Sequence, residues 1–204
     1  MNAKLAVIFF FLTFGFSMPV LLGFRDVYDI QLPNLHTYYQ PEQPIPFSHR
    51  WHAGVLNMDC QYCHTSADHS RHAGIPNVST CWNCHEKVLG KTTTAQENIT
   101  KVRNAYLKGE SVEWKRVHNV ADFVYFNHQT HVRIAKFIDE EGKVHDGFSC
   151  QTCHGPMENE GVARQAENLS MGWWVNCHRD WNEKYEKAGI ERHAPVNACD
   201  ACHR

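Results

Sequence analysis

The chain opens on an apolar run from Leu5 to Phe24, with Lys4 as the charged side chain ahead of it. A helix of that length spans roughly 30 Å, about the thickness of a bilayer's hydrocarbon core. Residues 1–24 therefore read as a membrane anchor, and Pro19 is compatible with a kinked span. A cleaved signal peptide competes, with Gly15-Phe16-Ser17 as a small-x-small site. The apolar run continues past Ser17, which favours the uncleaved anchor. Lys4 before the span favours an N-terminus inside the cell, with the rest exported.

Residues 25–46 read as an extended linker, because Pro33, Pro41, Pro44 and Pro46 remove backbone donors and hinder helix. From Phe47 to Arg204 the pattern breaks into short Cys/His clusters between loops. Thr94 and Glu97 have capping-box spacing. Ala95, Ile99, Val102 and Tyr106 follow on one helical face, and Gly109 is placed to end that helix. A second short helix is predicted from Asp180 to Lys187. An internal repeat is also visible. Phe47-Ser48-His49-Arg50-Trp51-His52 and Phe126-Asn127-His128-Gln129-Thr130-His131 share the pattern F-x-H-x-x-H, and each precedes two cysteine motifs.

Composition sharpens this reading. The 204 residues hold 15 His and 9 Cys, and aliphatics are thin outside the N-terminal run. Such a chain needs disulfides, metals or large cofactors to pack around. An odd cysteine count argues against a pure disulfide framework. The net charge of −2 gives no sign of nucleic-acid binding.

The cysteines settle which of these applies. Cys60-x-x-Cys63-His64, Cys81-x-x-Cys84-His85, Cys150-x-x-Cys153-His154 and Cys199-x-x-Cys202-His203 are four copies of the c-type haem attachment signature. Two thiols three residues apart reach the two vinyl groups on one porphyrin edge, and the next residue turns its imidazole under the ring to iron. Zinc sites also use paired C-x-x-C, but do not require His after every pair. A redox-active dithiol does not come in fours. The ninth cysteine sits in Trp174-Val175-Asn176-Cys177-His178, a motif with Trp in place of its first Cys. It reads as a fifth haem site with one thioether at Cys177, since a free thiol is a liability in an oxidising compartment. The expected cofactors are five haem c groups, four of them attached by two thioethers.

His64, His85, His154, His178 and His203 are then the proximal iron ligands. Among the remaining histidines, His49, His52, His128 and His131 recur at matched places and are the first distal candidates. His118 is the choice for the fifth, with His193, His72 and Met171 behind it. Bis-His ligation closes each iron to substrate and lowers its potential relative to Met/His. That suits electron transfer and assigns the chain no catalytic residue of its own.

These strings resemble class III multihaem cytochromes c, and more closely the pentahaem cytochrome subunit of bacterial alternative complex III, a quinol-oxidising membrane complex. The resemblance rests on PFSHRWHAG, CQYCHTSA, HAGIPNVSTCWNCH, VEWKRVHNVADFVYFNHQTHV, CQTCHGPM and MGWWVNCHR, from Pro46 to Arg204, and on the N-terminal anchor. It implies a mainly α fold with much irregular structure, built around covalent haems. It also implies a single-pass protein of the bacterial inner membrane, with the haem domain, 47–204, on the periplasmic side. The implied partners are iron–sulfur and integral-membrane subunits, with a periplasmic cytochrome c or a terminal oxidase as acceptor. His118, within VEWKRVHNV, is an implied iron ligand. The sequence departs from the family at Trp174, where the pattern MGWC-x-x-CH carries Cys.

Two other functions fit parts of this pattern. A stand-alone membrane-anchored multihaem quinol dehydrogenase would also have an anchor and several haems. A multihaem reductase would need an iron without a distal ligand, which the surplus of histidines opposes.

Overall fold

The computed structural model describes residues 37–191 and 193–203. The anchor expected over 1–24, the first part of the linker and His36 lie outside the described residues. Among the described residues no helix is long and apolar enough to cross a membrane.

The described part of the linker is extended, as its prolines require, but it is docked on the body. Tyr38 donates its N–H to the Gln165 carbonyl and Gln165 donates back to Tyr39. The Gln43 side chain clasps the backbone of Lys115 from both sides, at 2.9 and 3.0 Å. Gln165 is fully buried at this seam, and its side chain donates to the Glu167 carbonyl.

Among the described residues helix carries most of the regular structure, in five pieces: α1 (Cys60–Cys63), α2 (Val78–His85), α3 (Thr93–Lys108), α4 (Gln151–His154) and α5 (Met171–Lys187). Single π-helical turns cover Arg50–Val55 and Thr130–Ile134, and 3-10 turns cover Met157–Asn159 and Cys199–Ala201. Two short strands, β1 (Lys136–Ile138) and β2 (Val144–Asp146), pair antiparallel with Phe137 opposite His145.

Helix α3 buries Val102 and half-buries Ala95 and Ile99 of the expected face, while Tyr106 is exposed, and Gly109 closes the helix in the left-handed conformation at φ 68°. Its start is a correction. Thr92 is the cap, accepting from the Ala95 N–H at 3.1 Å, and Thr94 already lies inside the helix. Helix α5 also differs. It begins at Met171, nine residues before the expected Asp180, because the Ser170 side chain accepts from the Trp173 N–H and caps it there.

The best-formed apolar core is an aromatic cluster. Trp181 of α5 meets Phe148 edge-on at 4.7 Å, Phe137 of β1 at 5.4 Å and Tyr185 at 6.0 Å. The Tyr185 hydroxyl donates to the Lys136 carbonyl, tying α5 to the hairpin. Beyond this cluster the buried apolar side chains among the described residues are few and scattered: Ile45, Ala67, Val102 and Leu169.

Two glycines permit close backbone approach. A Cβ at Gly147, which has φ +79°, would stand 1.7 Å from the Val132 carbonyl oxygen. A Cβ at Gly54 would stand 2.3 Å from the Glu158 carbonyl oxygen. Gly54 thereby lets the first π-helical turn lie against the Met157–Asn159 turn, and the Arg50 N–H donates to Glu160 at 2.9 Å beside it.

Candidate haem-ligand sites

Every cysteine motif falls on a turn of helix. Cys60 and Cys63 bound α1, with His64 as its cap, and the Cys81–His85 motif closes α2. Cys153 and His154 end α4, Trp174 to His178 lie within α5, and Cys199 opens the last 3-10 turn before His203. Helical spacing puts residues i, i+3 and i+4 on one side, so both thiols and the imidazole of a motif project from the same face of the turn.

The histidine rings are oriented by backbone carbonyls. The Nδ1 atom contacts Gly74 O in His64 (2.7 Å), Val88 O in His85 (2.9 Å) and Pro195 O in His178 (2.6 Å). It contacts Ser48 O in His52 (2.9 Å), Arg71 O in His128 (2.9 Å) and Asn127 O in His131 (2.8 Å). A carbonyl can only accept, so Nδ1 carries the proton in each of these rings. The lone pair is left on Nε2, free for a metal.

The distances between rings fit an iron. A metal–imidazole bond is about 2 Å, so two imidazoles on opposite sides of one iron have ring centres about 6.4 Å apart. His52 and His85 are 6.1 Å apart, His131 and His178 6.2 Å, and His128 and His154 6.4 Å. The two F-x-H-x-x-H elements are near copies in space as well as in sequence. Phe47 stacks on His52 at 4.4 Å and meets His49 edge-on at 4.9 Å. Phe126 stacks on His131 at 4.5 Å and meets His128 edge-on at 4.8 Å.

Burial favours the neutral form, the form that binds iron, in five of the histidine rings. It pulls His154 down to about 3 and His49 and His118 to about 4, and it lowers His128 and His131. Burial raises the thiols of Cys150 and Cys153, to about 11 and about 12. Among the described residues three buried side-chain polar atoms, His49 Nδ1, Asn127 Oδ1 and Trp174 Nε1, have no hydrogen-bond partner. Large apolar side chains stay exposed next to the motifs, among them Trp51, Tyr62, Val88 and Phe123. A planar apolar group held at each motif fits this combination of lone pairs, thiols and uncovered apolar surface.

The remaining histidines divide clearly. His69 contacts Asp68 at 2.7 Å and His145 contacts Asp139 at 2.6 Å. His72, His193 and Met171 are exposed. His118 comes to the far nitrogen of His154, Nε2 to Nδ1 at 3.3 Å, with ring centres 4.3 Å apart. That contact is a hydrogen bond rather than an iron-sized gap. Among the described residues the ring packed on His203 is that of Phe123, at 5.6 Å.

Arg71 is a contributor that the motifs do not reveal. Its carbonyl accepts from both the N–H and the Nδ1–H of His128, its guanidinium donates to the Phe126 and Val124 carbonyls, and it lies 4.2 Å over the Tyr125 ring. Trp174 fills the space of a missing cysteine with packing instead, 5.0 Å from Phe126 and 6.1 Å from His131.

The chain is similar to the menaquinone reductase multiheme cytochrome c subunit of Nitratidesulfovibrio vulgaris. The two are 29% identical over 182 residues, which cover 82% of this chain and 79% of that protein. No protein-family model matches the chain. The likeness supports a multihaem c-type cytochrome with covalently bound haem, working in electron transfer.

Proposed function

We propose that the chain carries electrons through five covalently bound c haems as the cytochrome subunit of a membrane quinone/quinol oxidoreductase. The observation that supports this best is the set of three imidazole pairs spaced for one iron each, with Nδ1 of at least one ring of each pair fixed on a backbone carbonyl. Cys60, Cys63, Cys81, Cys84, Cys150, Cys153, Cys199 and Cys202 hold four haems through two thioethers each, and Cys177 holds the fifth through one. His64, His85, His154, His178 and His203 are the proximal ligands. His49, His52, His128 and His131 are distal ligands, and His118, expected as the tenth, instead supports the His154 ring by a hydrogen bond. When bound, each haem supplies a one-electron couple. The protein supplies ligation, spacing and the surroundings that set each potential.

The partners in this reading are iron–sulfur and integral-membrane subunits, with a periplasmic cytochrome c or a terminal oxidase as acceptor. The haem domain lies on the periplasmic side, tethered by residues 1–24. A second reading runs the electrons the other way, from a periplasmic donor through the haems to a quinone. The name of the Nitratidesulfovibrio relative, a menaquinone reductase subunit, favours it.

Intact mass under denaturing conditions tests the cofactor count, because thioether-bound haem survives that treatment. Five haem masses are expected, and none would overturn the reading. Purification from the native membrane then tests the assembly. Copurification with an iron–sulfur subunit and haem reduction by quinol only in the complex support the first direction. Reduction of the isolated chain by quinol points to a stand-alone quinol dehydrogenase. Oxidation of the reduced complex by menaquinone supports the reverse direction.

A further inference from the structure

We infer that the ligand sets of the two repeats stand in a line whose order departs from the order of the motifs: His85 with His52, then His64 with His49, then His154 with His128, then His178 with His131. The inference rests on the haem reading proposed above, and concerns which sites are neighbours.

Within each half the two sets are adjacent. Phe47 touches both His49 and His52, and Phe126 touches both His128 and His131, so one phenyl ring separates the two distal ligands of a half. Three of the four pairings are read directly from ring separation: His52 with His85, His128 with His154 and His131 with His178. In the second repeat the first histidine of the element serves the first motif, and the second histidine serves the second. The same rule in the first repeat leaves His49 to His64.

The halves join at their inner sets. The Arg50 N–H donates to Glu160, and Gly54 lies against Glu158, so the turn that follows His49 and carries His52 packs on the loop just after the Cys150 motif. The segment just after the Cys60 motif packs on the second element as well: the Ser70 and Arg71 carbonyls accept from the Gln129 and His128 N–H groups, each at 3.1 Å. A line built in chain order would instead place the His85 set against the His154 set. Here His85 stands at the outer end, on the α2–α3 pair, where Trp82 stacks on Tyr106 at 5.3 Å.

The order has a functional meaning. The His85 and His178 sets are the two ends of the line, and the His64 and His154 sets are its interior. The last motif meets the line from the side: Val124 bridges to His203, and the Tyr125 N–H donates to the Cys202 carbonyl, just before the second element.

Locating the irons in the holoprotein by anomalous scattering tests the order directly. The iron on His64 is expected to have those on His85 and His154 as its nearest neighbours. An iron on His85 that lies between those on His64 and His154 would overturn it. Redox titration of two variants gives an independent readout. His49→Met is expected to raise an interior potential and to perturb the titration of two neighbours, whereas His52→Met perturbs one. Equal effects from the two would count against the line. If either variant loses haem, the wild-type iron positions decide alone. Absence of covalent haem in the wild-type mass would sink the haem reading itself, whereas five haems in another order would sink the present inference only.

Discussion

His131 and His178 face each other with ring centres 6.2 Å apart and planes 21° from parallel, and each is held from behind by a backbone carbonyl, Asn127 or Pro195. Replacing His131 by Met puts a thioether opposite His178. Haem mass is expected to stay unchanged, because attachment is through Cys177. One potential is expected to rise by on the order of 0.1 V, within the range that axial ligands command. A redox titration identical to wild type would mean that His131 does not reach iron.

Trp174 stands where a second thioether would form. Trp174→Cys is expected to leave the haem count at five while converting the single attachment to a double one, read from the α band of the pyridine haemochrome. Cys177→Ser is expected to remove one haem mass. Retention of five haems in Cys177→Ser would remove Cys177 from the attachment set.

Gly147→Ala forces a Cβ against the Val132 carbonyl and an unfavourable positive φ on a residue with a side chain. A loss of more than about 1 kcal/mol is expected, measured as a lower melting temperature of the holoprotein. The π-helical turn that carries His131 ends beside this contact, so the visible haem bands should loosen together with the fold.

Burial holds His154 near 3 and His49 and His118 near 4, against an ordinary value of 6.5. Between those limits the unfolded chain binds protons that the folded chain does not, so stability rises with pH. It is fully present above about pH 6.5 and is lost as the pH falls toward 4 and below. Acid unfolding followed by circular dichroism should show this slope. A stability that stays flat from pH 7 to pH 4 would contradict neutral buried rings.

The cap of α3 separates what could be read in the sequence from what could not. Thr92→Ala is expected to cost about 1 kcal/mol, and Thr94→Ala only a few tenths. Three consecutive threonines offer the same chemistry, and only backbone geometry selects among them. The end of that helix was legible because Gly109 is a specific signal. The attachment motifs were legible for the same reason: Cys, Cys and His at fixed spacing are local. The start of α5 was hidden, since Met171 to Val175 read as part of a motif rather than as helix behind a Ser170 cap. The β1–β2 hairpin has strands too short to show alternation. Ligand partnership was the least legible feature, because His52 meets His85 and His131 meets His178 only through packing distant in sequence.

The Arg71 carbonyl, supplied by the first half of the chain, holds the His128 ring of the second. Arg50 and Gly54 of the first half likewise lie on Glu160 and Glu158 of the second. A proteolytic nick in the 110–117 segment would therefore leave two fragments still clasped together, and neither half would keep its cage of ligands if pulled from the other. The duplication written in the sequence has been woven shut, and the halves can no longer be traded as cassettes.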